Sequence, residues 1–297
     1  MTRSKVEIAV PAQAELGESP LWSPDEEVLY WADIEGKQVH RYNPASDRDE
    51  TRPCPWRPGA IVLTDRPGRL LIAADHHLIR FDWDSGLATP WVELEEAGTG
   101  NRMNDGRTDP AGRFWVGSMY DQPAVRRASG RQYRIEGGGS FTVIRTEVGI
   151  PNGLAFDPER NRMYWADTFQ DMVWRYDYDL ETGQARNETP FVDFSGYPGR
   201  PDGACVDAEG CYWIAAVAGG AVLRFTPDGR LDRRYDLPAS TPTMPAFGGP
   251  DLSTLYVTSL RTDGRPGRTD LPDHRGDLFV IDAGVTGRPE TPFAGTA

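Results

Sequence analysis

Residues 29–34 read LYWADI and residues 163–168 read MYWADT, two hexapeptides that differ only at their first and last positions. The same pattern, bulky residues followed by small ones, recurs as LLIAAD (70–75), FWVGSM (114–119), YWIAAV (212–217) and LYVTSL (255–260). With Tyr30, Leu71, Phe114, Tyr164, Tyr212 and Tyr256 taken as equivalent, the spacings are 41, 43, 50, 48 and 44 residues. A repeat of this length corresponds to one four-stranded propeller blade.

The surroundings of each run agree. SPDEE, DRPGR, DPAGR, DPERN, DAEG and GPDLS precede the six runs and have the Asp/Pro/Gly content of tight hairpins. A second strand with period-two alternation follows, as in QVHRYNP, HLIRFDW, MVWRYDY and AVLRFTP. No segment carries a sustained 3.6-residue apolar stripe, and the 25 prolines would break long helices. The chain is therefore expected to be all-β, a single six-bladed β-propeller domain over residues 1–297. VEIAV (6–10) is left without a blade of its own and is expected to pair beside LFVID (278–282), closing the ring. Closure hides strand edges that would otherwise invite aggregation.

Composition narrows the function. The 297 residues carry 32 Lys+Arg and 45 Asp+Glu, a formal charge of −13, with no basic stripe; such a surface repels phosphate backbones and speaks against nucleic acid as a partner. The start, MTRSKVEIAVPAQ, lacks the apolar core of a signal peptide, and the longest nearly apolar stretch, Tyr212 to Leu223, is too short to span a bilayer. Cys54, Cys205 and Cys211 are odd in number and form no CxxC pair, so buried free thiols and a cytoplasmic location are expected. No membrane association and no obligate protein partner is indicated. GxSxG, Walker and GxGxxG motifs are absent, which leaves acyl-serine, P-loop and dinucleotide chemistry without support.

The repeat phase locates a candidate site. Ten to twelve residues before each reference position, where the strand leading into the hairpin begins, stand Glu18, Asn104, Asn152 and Asp202; the other two repeats hold Gly59-Ala60 and Ala246-Phe247. In a ring these positions lie at equal height about the axis, so four oxygen-bearing side chains are expected to converge at one mouth of the channel. Singly, LGESP, RMNDG, IPNGL and RPDGA are ordinary turn sequences. Four in phase at channel-facing strand starts are not explained by turns. Two carboxylates and two amides form an oxygen-only site that suits one divalent cation: of Ca, Mg, Mn and Zn, it favours the first three. None of the four histidines (His40, His76, His77, His274) falls in these positions. Asp202 can serve as ligand and proton acceptor, and Arg102 is either placed to hold a substrate hydroxyl or a developing oxyanion or, taken in isolation, a surface arginine paired with an acidic neighbour. The polar insertion from Tyr120 to Gln132, with Arg126, Arg127 and Arg131, is expected to overhang a mouth of the ring.

LGESPLW, NRMNDGRTDPAGRFWVGSM, IPNGLAFD, RPDGACVDAEGCYW and AFGGPDLSTLYVTS resemble, in order, the SMP-30/gluconolactonase/luciferin-regenerating family, which includes regucalcin and bacterial sugar lactonases; the resemblance covers residues 14–282. It implies a six-bladed propeller with one catalytic divalent cation, held by Glu18, Asn152 and Asp202, with Asp202 also the base or proton donor. It assigns Arg102 and Asn104 to substrate. Some animal members carry two acids in the loop where this chain has Tyr120, Asp121 and Gln122; if Asp121 replaces one of them, it would contact sugar hydroxyls. The expected activity is hydrolysis of an aldono-lactone, such as gluconolactone or a pentonolactone, to the aldonic acid. The alternatives are a phosphotriesterase-like hydrolase on the same scaffold and a non-catalytic calcium- or sugar-binding propeller, since one fold hosts many activities.

Overall fold

The computed structural model describes residues 6–261 and 274–295. Six four-stranded antiparallel sheets make up the molecule, numbered here as blades 1 to 6. Their innermost strands are Gly17–Ser23, Pro58–Leu63, Asn101–Thr108, Pro151–Asp157, Arg200–Val206 and Pro242–Gly248. Each innermost strand touches those of both neighbouring blades, and the cycle closes between blades 6 and 1. The outermost strand of blade 6 is Val6–Val10, paired antiparallel with Leu278–Asp282 in the register Val6↔Ile281 and Ile8↔Phe279. The expected ring and its closure are both present.

The radial order of strands follows from hydropathy. Second strands such as VLYWAD (28–33) are buried on both faces, because each blade is sandwiched between two others. Their Trp31, Trp115, Trp165 and Trp213 are fully buried between blades. Outermost strands such as RDETRP (48–53) and LDRRYD (231–236) keep mostly exposed or half-exposed polar side chains. The innermost strand of blade 3 breaks the usual link between burial and apolar character: NRMNDGRT is polar at nearly every position and buried along its whole length. Burying so many polar groups is tolerable only where each finds a partner, and here those partners come from blade 3 itself, from the adjacent blade 4 and from Ala204 of blade 5.

Every innermost strand starts with one extra residue relative to its neighbour. In blade 1, Glu18 pairs with Ala32 and Leu21 with Tyr30; in blade 4, Asn152 pairs with Ala166 and Ala155 with Tyr164. The same shift separates Met103 from Gly106, Pro201 from Ala204, Pro242 from Pro245 and Pro58 from Ala60. A β-bulge of this kind bends the strand and re-aims side chains. In blade 4 it requires glycine: Gly153 has φ +64°, and a Cβ there would meet the Tyr212 hydroxyl at 2.5 Å and the Ala166 methyl at 2.9 Å.

At the opposite face, the segment after Ala283 crosses the ends of the innermost strands. Thr286 accepts from Ala208 N, Gly287 donates to Leu252 O, Phe293 donates to Leu63 O and Ala294 donates to Gly112 O. Phe293 is buried between blades 2 and 3, edge-on to Trp91. No helix among the described residues is long and apolar enough to cross a membrane. Cys54, Cys205 and Cys211 are buried and unbridged.

Candidate active site at the channel mouth

The bulges determine which side chains meet at the axis. By register, Glu18 and Asn152 are the last residues before the bulge, whereas Asn104 and Asp202 lie inside it. The four positions expected at one height therefore occupy two adjacent levels. The difference is made up by backbone conformation: the residues after Glu18 and Asn152, Ser19 and Gly153, have left-handed φ values of +50° and +64°.

All four side chains are buried, and Asn104 and Asn152 are bonded to each other. Asn104 Nδ2 donates to Asn152 Oδ1 at 3.1 Å and to Pro151 O at 3.0 Å. Arg102 Nη1 donates to Asn104 Oδ1 and to Met103 O, both at 2.9 Å. Asn152 Nδ2 donates to Thr168 Oγ1 at 2.8 Å. Ser19 N donates to Glu18 Oε2 at 3.0 Å.

The carboxylates repel one another. Burial pushes the Glu18 carboxyl up to about 8, with the neighbouring Asp105 adding to the shift. Burial also drives Asp202 well above the usual carboxylate range, with Glu18 and Asp105 raising it further and Arg102 only partly offsetting them. Asp105 itself is pushed by burial up to about 6, held there by the Leu154 N–H and by Arg107. Three buried carboxyls thus lie near one another, with Arg102 only partly offsetting Glu18 and Asp202. Their oxygens, with the Asn152 oxygen beside them, are the hard donors that a divalent cation of the Ca, Mg or Mn type requires, and such a cation would supply the missing charge. The donor set fits.

Sequence reasoning did not find Asp105. In a regular strand it would face away from its neighbour Asn104, but the bulge breaks alternation, and Asp105 Oδ2 accepts from Leu154 N at 3.1 Å in the next blade. Arg57 was also missed, since it lies in a connector that no repeat phase singles out. Its Nη1 and Nη2 donate to the two oxygens of Asp121 at 2.7 and 2.9 Å, and its Nε donates to Asp75 Oδ1 at 2.8 Å. Asp121 also lies 3.4 Å from Arg102 Nε. Arg102, which taken alone could be an ordinary surface residue, is buried. Asn101 turns away from the site and donates to both Glu95 oxygens at 3.2 and 3.0 Å.

The insertion after Tyr120 runs through a short 3₁₀ turn at Pro123–Val125 before the next strand begins at Gly130. Its Arg126 stacks on the Phe169 ring and donates to Phe169 O, which ties the loop to blade 4, while Arg127 stacks on Tyr120. Elsewhere, Asp207, Glu209 and Cys211 bring three ligand-type atoms close together. Arg224 occupies that cluster, paired with Asp207 at 2.7 Å and Glu209 at 2.5 Å and also with Asp232, so its charge is already met within the protein.

Known proteins resemble this chain along nearly its whole length. The chain is 39% identical to pentonolactonase XacC of Haloferax volcanii over 287 residues, covering 95% of both chains. It is 39% identical to a 6-deoxy-6-sulfogluconolactonase of Pseudomonas putida over 283 residues, covering 94% of this chain and 95% of the relative. Among solved structures, a calcium-binding protein, regucalcin, from Agrobacterium tumefaciens superposes with a TM-score of 0.89 at 31% identity, covering 98% of each chain. A luciferin-regenerating enzyme gives a TM-score of 0.90 at 27% identity, covering 97% of this chain and 99% of its own. Residues 16–261 match the SMP-30/Gluconolactonase/LRE-like region, and the chain belongs to that family.

Proposed function

We propose that this protein is a divalent-cation-dependent sugar lactonase that opens an aldono-lactone to its aldonic acid. The observation that carries the reading is the under-compensated pair Glu18 and Asp202, buried together at the channel mouth beside an amide network that includes Asn152. The lactonase relatives support the substrate class. A cytoplasmic location is part of the same reading and rests on the three unbridged thiols.

Glu18, Asn152 and Asp202 would hold the cation. Bound there, a divalent ion supplies Lewis-acid polarisation of an ester carbonyl. The remaining work falls to side chains. Asp202, a buried carboxylate of the site, takes the proton of the attacking water as the water oxygen bonds to the carbonyl carbon. The ring C–O bond then breaks, and that proton returns to the leaving alkoxide, giving one hydroxyl and one carboxylic acid, which releases the water's second proton to solvent as it becomes the carboxylate. Arg102 and Asn104, with orientations fixed by their mutual hydrogen bond, hold substrate hydroxyls. Asp121 reaches substrate only in competition with Arg57, which holds both of its oxygens.

Proton release from pentono- and hexono-lactones, corrected for spontaneous hydrolysis, tests the reading on chelator-stripped protein with Ca, Mg, Mn or Zn added back. The expected result is cation-restored turnover of a sugar lactone that Asp202→Asn abolishes while the variant keeps its melting transition. Full turnover by stripped protein would overturn the cation's role. Turnover of a phosphotriester but of no lactone would overturn the substrate class, and tight binding without turnover of either would leave a binding propeller.

A further inference from the structure

The two hexapeptides LYWADI (29–34) and MYWADT (163–168) occupy the same register in blades 1 and 4, so Ile34 and Thr168 are counterparts, as are Glu18 and Asn152. A carboxylate presents oxygen whichever way it is turned, whereas an amide presents oxygen on one side only and must be oriented. The hydroxyl-bearing residue occurs in the blade that carries the amide, and an isoleucine in the blade that carries the carboxylate.

We propose that Thr168 is a positioning residue of the cation site, whose hydroxyl dictates that Asn152 turns its oxygen toward the channel. The inference rests on the reading of Glu18, Asn152 and Asp202 as cation ligands. The argument is one of hydrogen-bond direction. A threonine hydroxyl has a single proton, and Thr168 Oγ1 donates it to Pro201 O at 2.8 Å, an atom that only accepts. The lone pair facing Asn152 must therefore meet a donor, and it receives the amide N–H at 2.8 Å. The network's other end has the same polarity: the Arg102 guanidinium can only donate, so Asn104 offers it Oδ1. Asn104 then turns its NH2 to Pro151 O, another pure acceptor, and to Asn152 Oδ1. A donor-only end and an acceptor-only end set every amide between them, and Asn152 Oδ1 keeps a second lone pair.

Thr168 is itself held firmly. Its N–H donates to Ile150 O at 3.0 Å. The loop around it is tied down by the buried Asp167, which accepts from Gly149 N, Ile150 N and Phe169 N at 2.9, 3.0 and 2.9 Å. Through Pro201 the same hydroxyl reaches the residue immediately before Asp202, so one side chain links two of the three ligand strands.

Equilibrium binding of Ca²⁺ and Mn²⁺ to stripped protein, followed by calorimetry, tests the proposal without reference to turnover. The wild type is expected to bind one ion. Thr168→Val, which keeps the shape and removes the hydroxyl, should weaken binding about tenfold or more, the usual loss when a group orienting a metal ligand is removed; Thr168→Ser should restore it to within about twofold. In an Asn152→Asp background, where no amide needs orienting, adding T168V should cost less than about threefold. Should T168V not fold, Thr168→Ala removes the same hydroxyl and is read the same way. Wild-type affinity in T168V or T168A, or an equal loss in both backgrounds, overturns the positioning role and leaves the ligand assignment standing. A wild type that binds no ion overturns the ligand assignment itself.

Discussion

Arg57, in the connector between blades 1 and 2, holds both oxygens of Asp121 in blade 3 at 2.7 and 2.9 Å, while the buried Arg102 lies 3.4 Å from the same carboxylate. A bidentate guanidinium–carboxylate pair sets direction as well as distance, so the rim acts on the deeper arginine through Asp121. Arg57→Met is expected to raise KM for the sugar lactone about fivefold, equivalent to about 1 kcal/mol, because Arg102 loses a fixed partner. Cation affinity should change less than about twofold, since Arg57 bonds to none of the proposed cation ligands. Steady-state kinetics combined with cation titration checks this, and a loss confined to cation affinity would contradict it.

The buried carboxyls predict an inverted pH dependence for the cation-free protein. Glu18 has its carboxyl raised from 4.5 to about 8 and Asp202 is raised as well, so between those values the folded chain holds protons that the unfolded chain releases. Stability is therefore present at low pH and lost as pH rises toward 8, at about 1.4 kcal/mol per pH unit for each such group. Melting of stripped protein between pH 5.5 and 8 should show Tm falling by roughly 3 °C per unit. Glu18→Gln should flatten the slope, and a saturating divalent cation should remove it by favouring the ionised pair. Equal slopes in wild type and E18Q would refute the account.

At the far face, Glu290 meets the buried Arg107, whose Nε and Nη2 already donate to Leu154 O and Ala204 O at 3.1 and 2.7 Å. Phe293 is buried nearby between blades 2 and 3. Phe293→Ala should cost about 3 kcal/mol, measured by denaturant unfolding. Turnover per folded molecule should stay within about twofold, because the cavity forms between blades 2 and 3 at the face opposite the site.

Asp207 is fully buried and holds Trp213 Nε1, Arg224 Nε, and the backbone N–H groups of Glu209 and Cys211. Asp207→Ala leaves Arg224 without its one fully buried partner and should cost about 3 kcal/mol or more. Cation stoichiometry, measured on folded D207A below its melting temperature, should remain that of the wild type. A lost equivalent would make the Asp207–Glu209–Cys211 cluster a metal site.

Much of this molecule was legible in the chain alone. Strand alternation, hairpin turns and a blade-length repeat are local properties, and burial of the second strands against neighbouring blades follows from their hydropathy. Those rules led to the six-bladed ring, to its closure by residues 6–10, and to the phase that picked out Glu18, Asn104, Asn152 and Asp202. Tertiary structure decided what the repeat phase averages away. The pairing register split those four positions between two levels, because Val116 and Ile214, not Phe114 and Tyr212, are the counterparts of Tyr30 and Tyr164, and the bulge brought Asp105 into the site against the rule of alternation. Arg57 reached Asp121 from two blades earlier in the chain, and Thr168 acquired its role only because Pro201 of the next blade accepts its proton. Periodicity follows from residue types a few positions apart; the direction of a hydrogen bond depends on which group stands opposite, and in a closed ring that group comes from another blade.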